Sequence, residues 1–256
     1  MSDSVFDEPL DLPSGGGALP PVSWDEFRKV VETRRSVRVF DKTAIPEADM
    51  RAVLDAALLA PNSSNLQPWE FYWVRSPKPK AALVEACLSQ PAARTAAELI
   101  VCVARVDRWP EMRKRMLDAF AAQKNVPASA VDYYKKLVPM VYTVGPLGLL
   151  ARLRGLAMWV IGWRRAIPRE PASAAELTTW AVKSTALACE NLMLALRAKG
   201  WDSCPMEGVD SSRAKKLLGL PRSAAIVMVV AAGRRSSKGV YGPRIRFDRS
   251  LFVKEL

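Results

Sequence analysis

An α/β or α+β fold is predicted by three features of the sequence. Helical and strand-like segments interleave without an internal repeat. Two short runs, Leu99 to Ala104 and Ala224 to Ala232, are apolar at the length of a buried strand. One segment, from Ser173 to about Lys199, is long, rich in Ala and Leu, and charged at few positions.

The elements follow in order. Ser23 and Glu26 form a capping box that opens a helix to about Arg34. Pro46-Glu47 opens a second helix, whose apolar positions Met50, Val53, Leu54, Ala57 and Leu58 keep helical spacing to Ala60. Pro61 to Gln67 is a polar loop, and Trp69 to Val74 is aromatic and β-branched, hence a strand. Lys80 to Ser89 is helical, Glu98 to Val106 is a buried strand, and Asp107 is placed to cap the helix that follows. Residues 125–172 are the least regular, with aromatic residues among Pro, Gly and basic side chains. Ser173 and Glu176 form another capping box, and Gly200 closes the long helix. From Leu177 to Leu196 only Lys183 and Glu190 are charged, so that helix belongs at the core or beneath a second subunit. Asp202 to Gly208 reads as a loop, Asp210 caps a short helix, and Ala224 to Ala232 is a buried strand before an Arg-rich tail.

Half of the 256 residues are apolar, enough for a sizeable core. The net charge of +12 suits anionic partners: a phosphorylated cofactor, a membrane surface or nucleic acid. No recognisable nucleic-acid reading module is present, so nucleic acid is not expected. With no histidine in the chain, imidazole acid–base chemistry, Ser-His-Asp triads and His-ligated metals are excluded, and no metal site is expected. Redox or group-transfer chemistry here would come from a bound cofactor. Cys87, Cys102, Cys189 and Cys204 have no C-x-x-C pairing and read as buried thiols of a reducing, cytoplasmic setting. Residues 1–22, acidic and then Pro/Gly-rich, read as a flexible tail rather than a signal peptide. The charge-free stretch from Leu137 to Ala151 is broken by Pro and Gly and is too short to span a bilayer.

Four constellations carry candidate chemistry. Arg34, Arg35, Ser36 and Arg38 gather three guanidinium groups and a hydroxyl, a phosphate-binding set, though basic residues at a helix C-terminus also favour the macrodipole. Asn62, Ser63, Asn65 and Gln67 offer mixed donors and acceptors along A-P-N-S-S-N-L-Q-P-W, suited to a heterocycle's polar edge or to an Asx-rich turn. Pro205, Met206, Glu207 and Gly208 form a turn whose backbone N–H groups can face a ligand. In the tail, Arg244 and Arg246 alternate on an extended segment, with Gly233-Arg234 as the competing pair.

The order R-R-S-V-R, A-P-N-S-S-N-L-Q-P-W, a long Ala/Leu helix and C-P-M-E-G resembles the FMN-dependent nitroreductase family over about residues 24–256, except 125–172. The resemblance implies an α+β fold: a three-layer sandwich with a mixed central sheet flanked by helices around a long central helix. It implies one FMN-binding domain over 23–256, with a variable lid or insert at about 125–172, and an intertwined homodimer with FMN between the subunits. By the same resemblance, Arg34, Ser36 and Arg38 hold the FMN phosphate and ring edge. Asn65 bonds the pyrimidine edge, with Asn62, Ser63 and Gln67 beside it, and Pro205 to Gly208 lie along the isoalloxazine with a backbone N–H near Glu207 at flavin N5. Arg244 and Arg246, or Gly233-Arg234, complete the phosphate site.

The chemistry implied is hydride transfer in two steps, NADPH or NADH to FMN and FMN to a small acceptor such as a nitroaromatic or quinone, with no catalytic side chain required. Arg38 is placed to stabilise negative charge near N1 and O2. Tyr133, Tyr134 and Tyr142 either stack on acceptors or pack the insert against the core. Two rivals stand beside this reading. One keeps the flavin fold for dehalogenation, dehydrogenation or flavin destruction. The other is a non-enzymatic membrane-surface protein, using Lys135, Lys136, Arg152, Arg154, Arg164 and Arg165, with Leu147 to Ile167 on anionic lipid and Trp159 and Trp163 at the interface.

Overall fold

A computed structural model describes residues 22–145 and 148–256. The tail expected over 1–22 lies, apart from Val22, outside the described residues, as do Pro146 and Leu147. Four strands, β1 (Trp69–Trp73), β2 (Glu98–Ala104), β3 (Asp202–Met206) and β4 (Ala225–Gly233), form one sheet in the order β1-β2-β4-β3. All three pairings are antiparallel. The parallel component of the expected mixed sheet is reduced, among the described residues, to an isolated bridge between Ser36 and Ser203.

Strand alternation divides the core into two layers. Leu99, Val101 and Val103 of β2 face the same way as Val229 and Ala231 of β4, against α3 (Pro77–Ala86), α4 (Pro91–Thr95) and α10 (Ser211–Leu218). Ile100 and Cys102 face the other way with Val230 and Ala232. They meet α2 (Glu47–Leu58) and the long helix α9 (Ala174–Ala198) through Met50, Val53, Leu192 and Leu196. A sheet covered on both faces explains why β2 and β4 read as continuous apolar runs instead of alternating ones. All four cysteines are buried thiols.

Local capping signals place the helix starts. Ser23 caps α1 (Trp24–Thr33), Ser173 caps α9, and Asp210 accepts from Ser212 N and Arg213 N at the start of α10. Asp107 does not cap α5 (Trp109–Ala121); its carboxylate pairs with Arg105, and Arg108 occupies the cap position. The 125–172 region is more regular than its composition suggests. It holds α6 (Ala128–Asp132), a π-turn over Tyr133–Leu137, α7 (Val138–Tyr142) and α8 (Leu149–Ile161). Pro127 precedes α6, and Pro139 follows just after the π-turn, whose widened turn accommodates a residue without an N–H. No helix among the described residues is long and apolar enough to cross a membrane.

Candidate functional site

The first site element is a basic cleft at the edge of the sheet. After α1 the chain runs extended beside β3: Val37 N donates to Ser203 O at 3.0 Å and Arg38 N to Gly239 O at 2.7 Å. Val37 is fully buried, so alternation leaves Ser36 and Arg38 on the outer side. A turn closed by Gly239 N on Ser236 O brings the tail back over this strip. Arg35 Nη2 donates to Gly242 O at 2.5 Å, Arg244 Nη2 donates to Glu32 O at 2.9 Å and also to Arg34 O, and the Arg38 guanidinium lies 5.7 Å from the Tyr241 ring centroid. The result is an open cleft of about 240 Å³ lined by Arg34, Arg35, Ser36, Arg38, Tyr241, Gly242, Arg244 and Arg246.

Charge in this cleft is poorly matched. Arg34 reaches Glu190 only at 3.9 Å, and among the described residues Arg35, Arg38, Arg244 and Arg246 have no ion pair. Burial, followed by repulsion from Arg246, Arg34 and Arg35, pulls the Arg244 guanidinium below its ordinary pKa. An anion placed among these groups would relieve that repulsion and accept charge-assisted hydrogen bonds. Gly233-Arg234, the competing pair, lies outside the cleft. Arg234 Nε donates to Asp41 Oδ2 at 2.6 Å, and a Cβ on Gly233 would approach Phe40 Cδ1 to 2.9 Å.

The tail's return path has its own anchor. Asp202, buried at the head of β3, receives Arg197 at 3.1 Å and the Arg235 guanidinium, which together fix the strand start and the turn that follows. Arg235 reads from the sequence as one more residue of the basic tail, and Asp202 as the start of a loop. Their pairing bridges 33 residues and leaves no local signal.

The second element is the loop at 62–67. Ser64, Asn65 and Gln67 have φ of 54°, 45° and 45°, left-handed values that only asparagine among them adopts readily. Asn62 holds the loop in that shape: its Oδ1 accepts from Gln67 N at 2.7 Å. The Asn62 side chain is thus engaged in the turn itself, while Ser63, Asn65 and Gln67 are exposed. Non-glycine residues forced into this region mark a loop whose shape the surroundings dictate.

The third element departs from its expected form. Pro205 and Met206 belong to β3, not to a loop, and β3 is an edge strand, where proline's missing N–H is tolerated. Cys204 and Met206 point into the core, and burial pushes the Cys204 thiol up, partly offset by the nearby Arg38 charge. Glu207 and Gly208 emerge exposed at the strand's end, and Gly208 O accepts from Gln90 Nε2 at 2.8 Å. Sequence reasoning missed Gln90, whose one local mark is its place just before Pro91 at the start of α4.

Tyr134 and Tyr142 are buried and form a cluster with Leu66, Val138 and Leu177. The Tyr134 hydroxyl donates to Ser64 O at 2.8 Å, Tyr133 shares a 2.7 Å hydrogen bond with Ser64 Oγ, and Tyr142 donates to Ser63 Oγ at 3.4 Å. For Tyr134 this is the packing role, not a stacking one, and burial raises its pKa to about 12. Tyr133 and Tyr142 also border a cavity of about 230 Å³ between the loop and the insert, walled by Val138, Val141, Met158 and Trp180.

Within one chain the basic cleft and the 62–67 loop do not share a cavity. Both flank one face of α9. Pro61 to Ser63 border a depression with Trp180, Lys183 and Leu187, while Arg34 approaches Glu190. Lys183, Leu187 and Glu190 follow i, i+4, i+7 spacing, about 10 Å along the axis, and Leu187 is 49% exposed.

The sequence model described as the nitroreductase family matches residues 31–234. A Thermus thermophilus protein named NADH dehydrogenase is 30% identical over 218 residues, 84% of this chain and 90% of its own length. Solved structures share the fold. A nitroreductase family protein from Streptococcus pneumoniae matches with a TM-score of 0.66 and 19% identity, over 90% of this chain and all of its own. An Exiguobacterium sibiricum protein solved in complex with FMN matches with a TM-score of 0.63 and 22% identity, over 90% of this chain and 97% of its own. With the family model spanning the basic strip, the polar loop, the long helix and the β3 turn, this chain belongs to the nitroreductase family.

Proposed function

We propose that this chain, an FMN-dependent NAD(P)H oxidoreductase, reduces small acceptors such as nitroaromatics or quinones, and that its flavin site is built from two copies of the chain. The observation that carries the reading is the cleft in which Arg34, Arg35, Ser36, Arg38, Arg244 and Arg246 converge with few carboxylates to match them. This donor set fits a phosphate monoester: fixed guanidinium forks, one hydroxyl and a positive charge that repels itself when no anion is present. Family membership and a fold neighbour solved with FMN support that choice of phosphate.

When bound, FMN supplies the hydride relay between NAD(P)H and the acceptor. The chain's own contribution is placement. Arg244 and Arg246 line the cleft with Arg34 and Arg38 and would hold the phosphate end. From Ser203, where the strip joins β3, to Glu207 the strand extends about 13 Å, which carries the exposed Glu207 and Gly208 N–H groups toward the ring end. Gln90 fixes that segment through Gly208 O. Asn65, with Ser63 and Gln67, presents amide and hydroxyl groups from a loop held rigid by Asn62 and the tyrosines. No side chain is required to move a proton.

Two copies explain surfaces that one copy leaves bare. Trp24, Phe27 and Val31 form an i, i+3, i+7 apolar stripe on α1, a helix with no buried residue, and Leu58, Leu59 and Leu187 are exposed nearby on α2, after it and on α9. A two-fold pairing along α9 covers these residues and brings one chain's loop to the other's cleft.

The test is an absorbance spectrum of the purified protein, with released cofactor identified, before and after anaerobic NADPH or NADH. Bound FMN that bleaches and is reoxidised by a nitroarene or quinone is the expected result. Absence of flavin after incubation with excess FMN overturns the site assignment. Flavin that neither nucleotide bleaches favours a specialised redox step on the same fold.

A further inference from the structure

The flavin reading leaves α8 unexplained. Its inner side is pinned to the protein. Arg154 donates to Met140 O, to Thr143 O at 3.0 Å and to Pro171 O at 3.0 Å, Ala151 is fully buried, and Gly155 packs so closely that a Cβ there would lie 2.8 Å from Ala172 Cβ. The helix therefore cannot roll, and its other side is held outward. That side is apolar along its whole length: Leu149, Leu153, Leu156 and Val160 are each at least half exposed. At its end Trp159 and Trp163 stack edge to face with centroids 4.4 Å apart, both exposed.

Length, charge and aromatic placement choose the occupant. Thirteen residues extend about 20 Å, short of the roughly 30 Å hydrocarbon core, so the helix cannot span a bilayer. From residue 133 to 169 the chain has seven Lys and Arg and not one Asp or Glu. Arg152, Arg164 and Arg165 have no ion pair among the described residues. A second copy seated on this face would bring arginines against arginines with no carboxylate from either helix. An anionic lipid surface offers apolar depth and negative charge together, and tryptophan is favoured at that boundary.

We propose that the outer face of α8 seats the protein on an anionic membrane surface. The helix lies in the interfacial plane, with Leu153, Leu156 and Val160 toward the acyl chains, Trp159 and Trp163 at headgroup level, and Arg152, Arg164 and Arg165 against lipid phosphates. The inference does not depend on the flavin assignment, because none of these residues lines the basic cleft or the 62–67 loop.

The experiment is co-sedimentation of the full chain with vesicles of phosphatidylcholine alone, or of phosphatidylcholine mixed with phosphatidylglycerol, at low and high salt. Binding is expected on the mixed vesicles, falling as salt rises, and little on phosphatidylcholine. Leu156→Asp combined with Val160→Asp is expected to weaken binding by more than about 10-fold. Arg164→Gln and Arg165→Gln are expected to weaken it about 5-fold per arginine. Circular dichroism and light scattering of each variant establish that fold and assembly are unchanged. Wild-type protein that ignores anionic vesicles overturns the proposal, as does undiminished binding by the Asp variant. An Asp variant with a smaller assembly state than wild type makes a second copy the occupant and overturns it as well.

Discussion

The basic cleft and the tyrosine cluster both stand out in the sequence as candidate site material, and the folded chain treats them oppositely. The three tyrosine hydroxyls are engaged with Ser63 and Ser64, and two of the rings are buried. Their hydroxyl groups are satisfied inside the chain. In the cleft, the guanidinium groups of Arg38 and Arg246 have no ion pair among the described residues, and Arg244 is crowded by its own kind. The difference teaches that availability, more than residue type, separates a binding group from a packing group. Glu70 supplies a control for this contrast. On β1 it is flanked by Arg105 at 2.6 Å and Arg108 at 2.5 Å, and those arginines are matched as fully as the cleft's are unmatched.

If the tyrosines serve packing, truncation should appear as lost stability. Tyr134→Ala is expected to cost about 3–5 kcal/mol, and Tyr134→Phe, which loses only the hydrogen bond to Ser64 O, about 1 kcal/mol. Urea unfolding measures both. Equal costs would mean that the ring contributes little and would break the comparison on that side.

If the cleft serves binding, truncation there should appear as lost affinity with stability nearly unchanged. Arg38→Ala is expected to weaken FMN binding about 10- to 100-fold, the worth of one charge-assisted contact. Arg234→Ala, which removes only an exposed pair with Asp41, should change it by less than about 3-fold. Fluorescence titration of apoprotein with FMN separates them, and similar losses in both variants would contradict the assignment of the tail.

The matched arginines predict a pH effect. Burial raises the Glu70 pKa, but hydrogen bonds from Tyr72, Arg105 and Arg108 outweigh it and hold the carboxyl below its ordinary value of 4.5. A depressed pKa in the folded state stabilises above 4.5, and that stability is lost as pH falls through the folded value. Glu70→Gln should therefore be less stable than wild type at neutral pH by about 1–2 kcal/mol, with the gap closing as the solution is acidified below pH 4.5. A gap that is constant with pH would mean the charge is not what matters. The smallest effect is expected at Ser203, whose buried Oγ has no hydrogen-bond partner among the described residues. Ser203→Ala should be neutral or stabilise by up to about 1 kcal/mol in thermal unfolding, and a clear loss would reveal a partner.

Local chemistry was legible in the sequence and long-range pairing was not. Ser23, Ser173 and Asp210 cap their helices as their spacing predicts, because a cap is settled within three residues. The strand β3 was hidden because Asp-Ser-Cys-Pro-Met lacks β-branched residues and contains proline, and only pairing with β4 makes it a strand. Asp107 looked like a cap, but Arg105 two residues earlier competes for its carboxylate. The helices of 125–172 were obscured by their prolines and by α8 being apolar outward as well as inward. Among the site residues, the composition of the Arg34 to Arg38 strip and of the 62–67 loop was readable. That Arg244 and Arg246, not Arg234, line the cleft beside this strip was not, since it rests on the return of the chain through the Ser236 turn and the Asp202 anchor.

The central claim is that one chain's basic cleft and another's polar loop make one flavin site, and subunit complementation tests it most directly. Arg38→Ala protein carries a defective cleft and an intact loop, and Asn65→Ala protein the reverse. In the hybrid of the two, a shared-site architecture gives one intact site and one doubly defective site. The account predicts that unfolding and refolding the two variants together restores tight FMN binding to about half of the hybrid's sites, as each hybrid regains one of two. No recovery above the separate variants, with hybrid formation verified, would place cleft and loop in the same chain's site and contradict it.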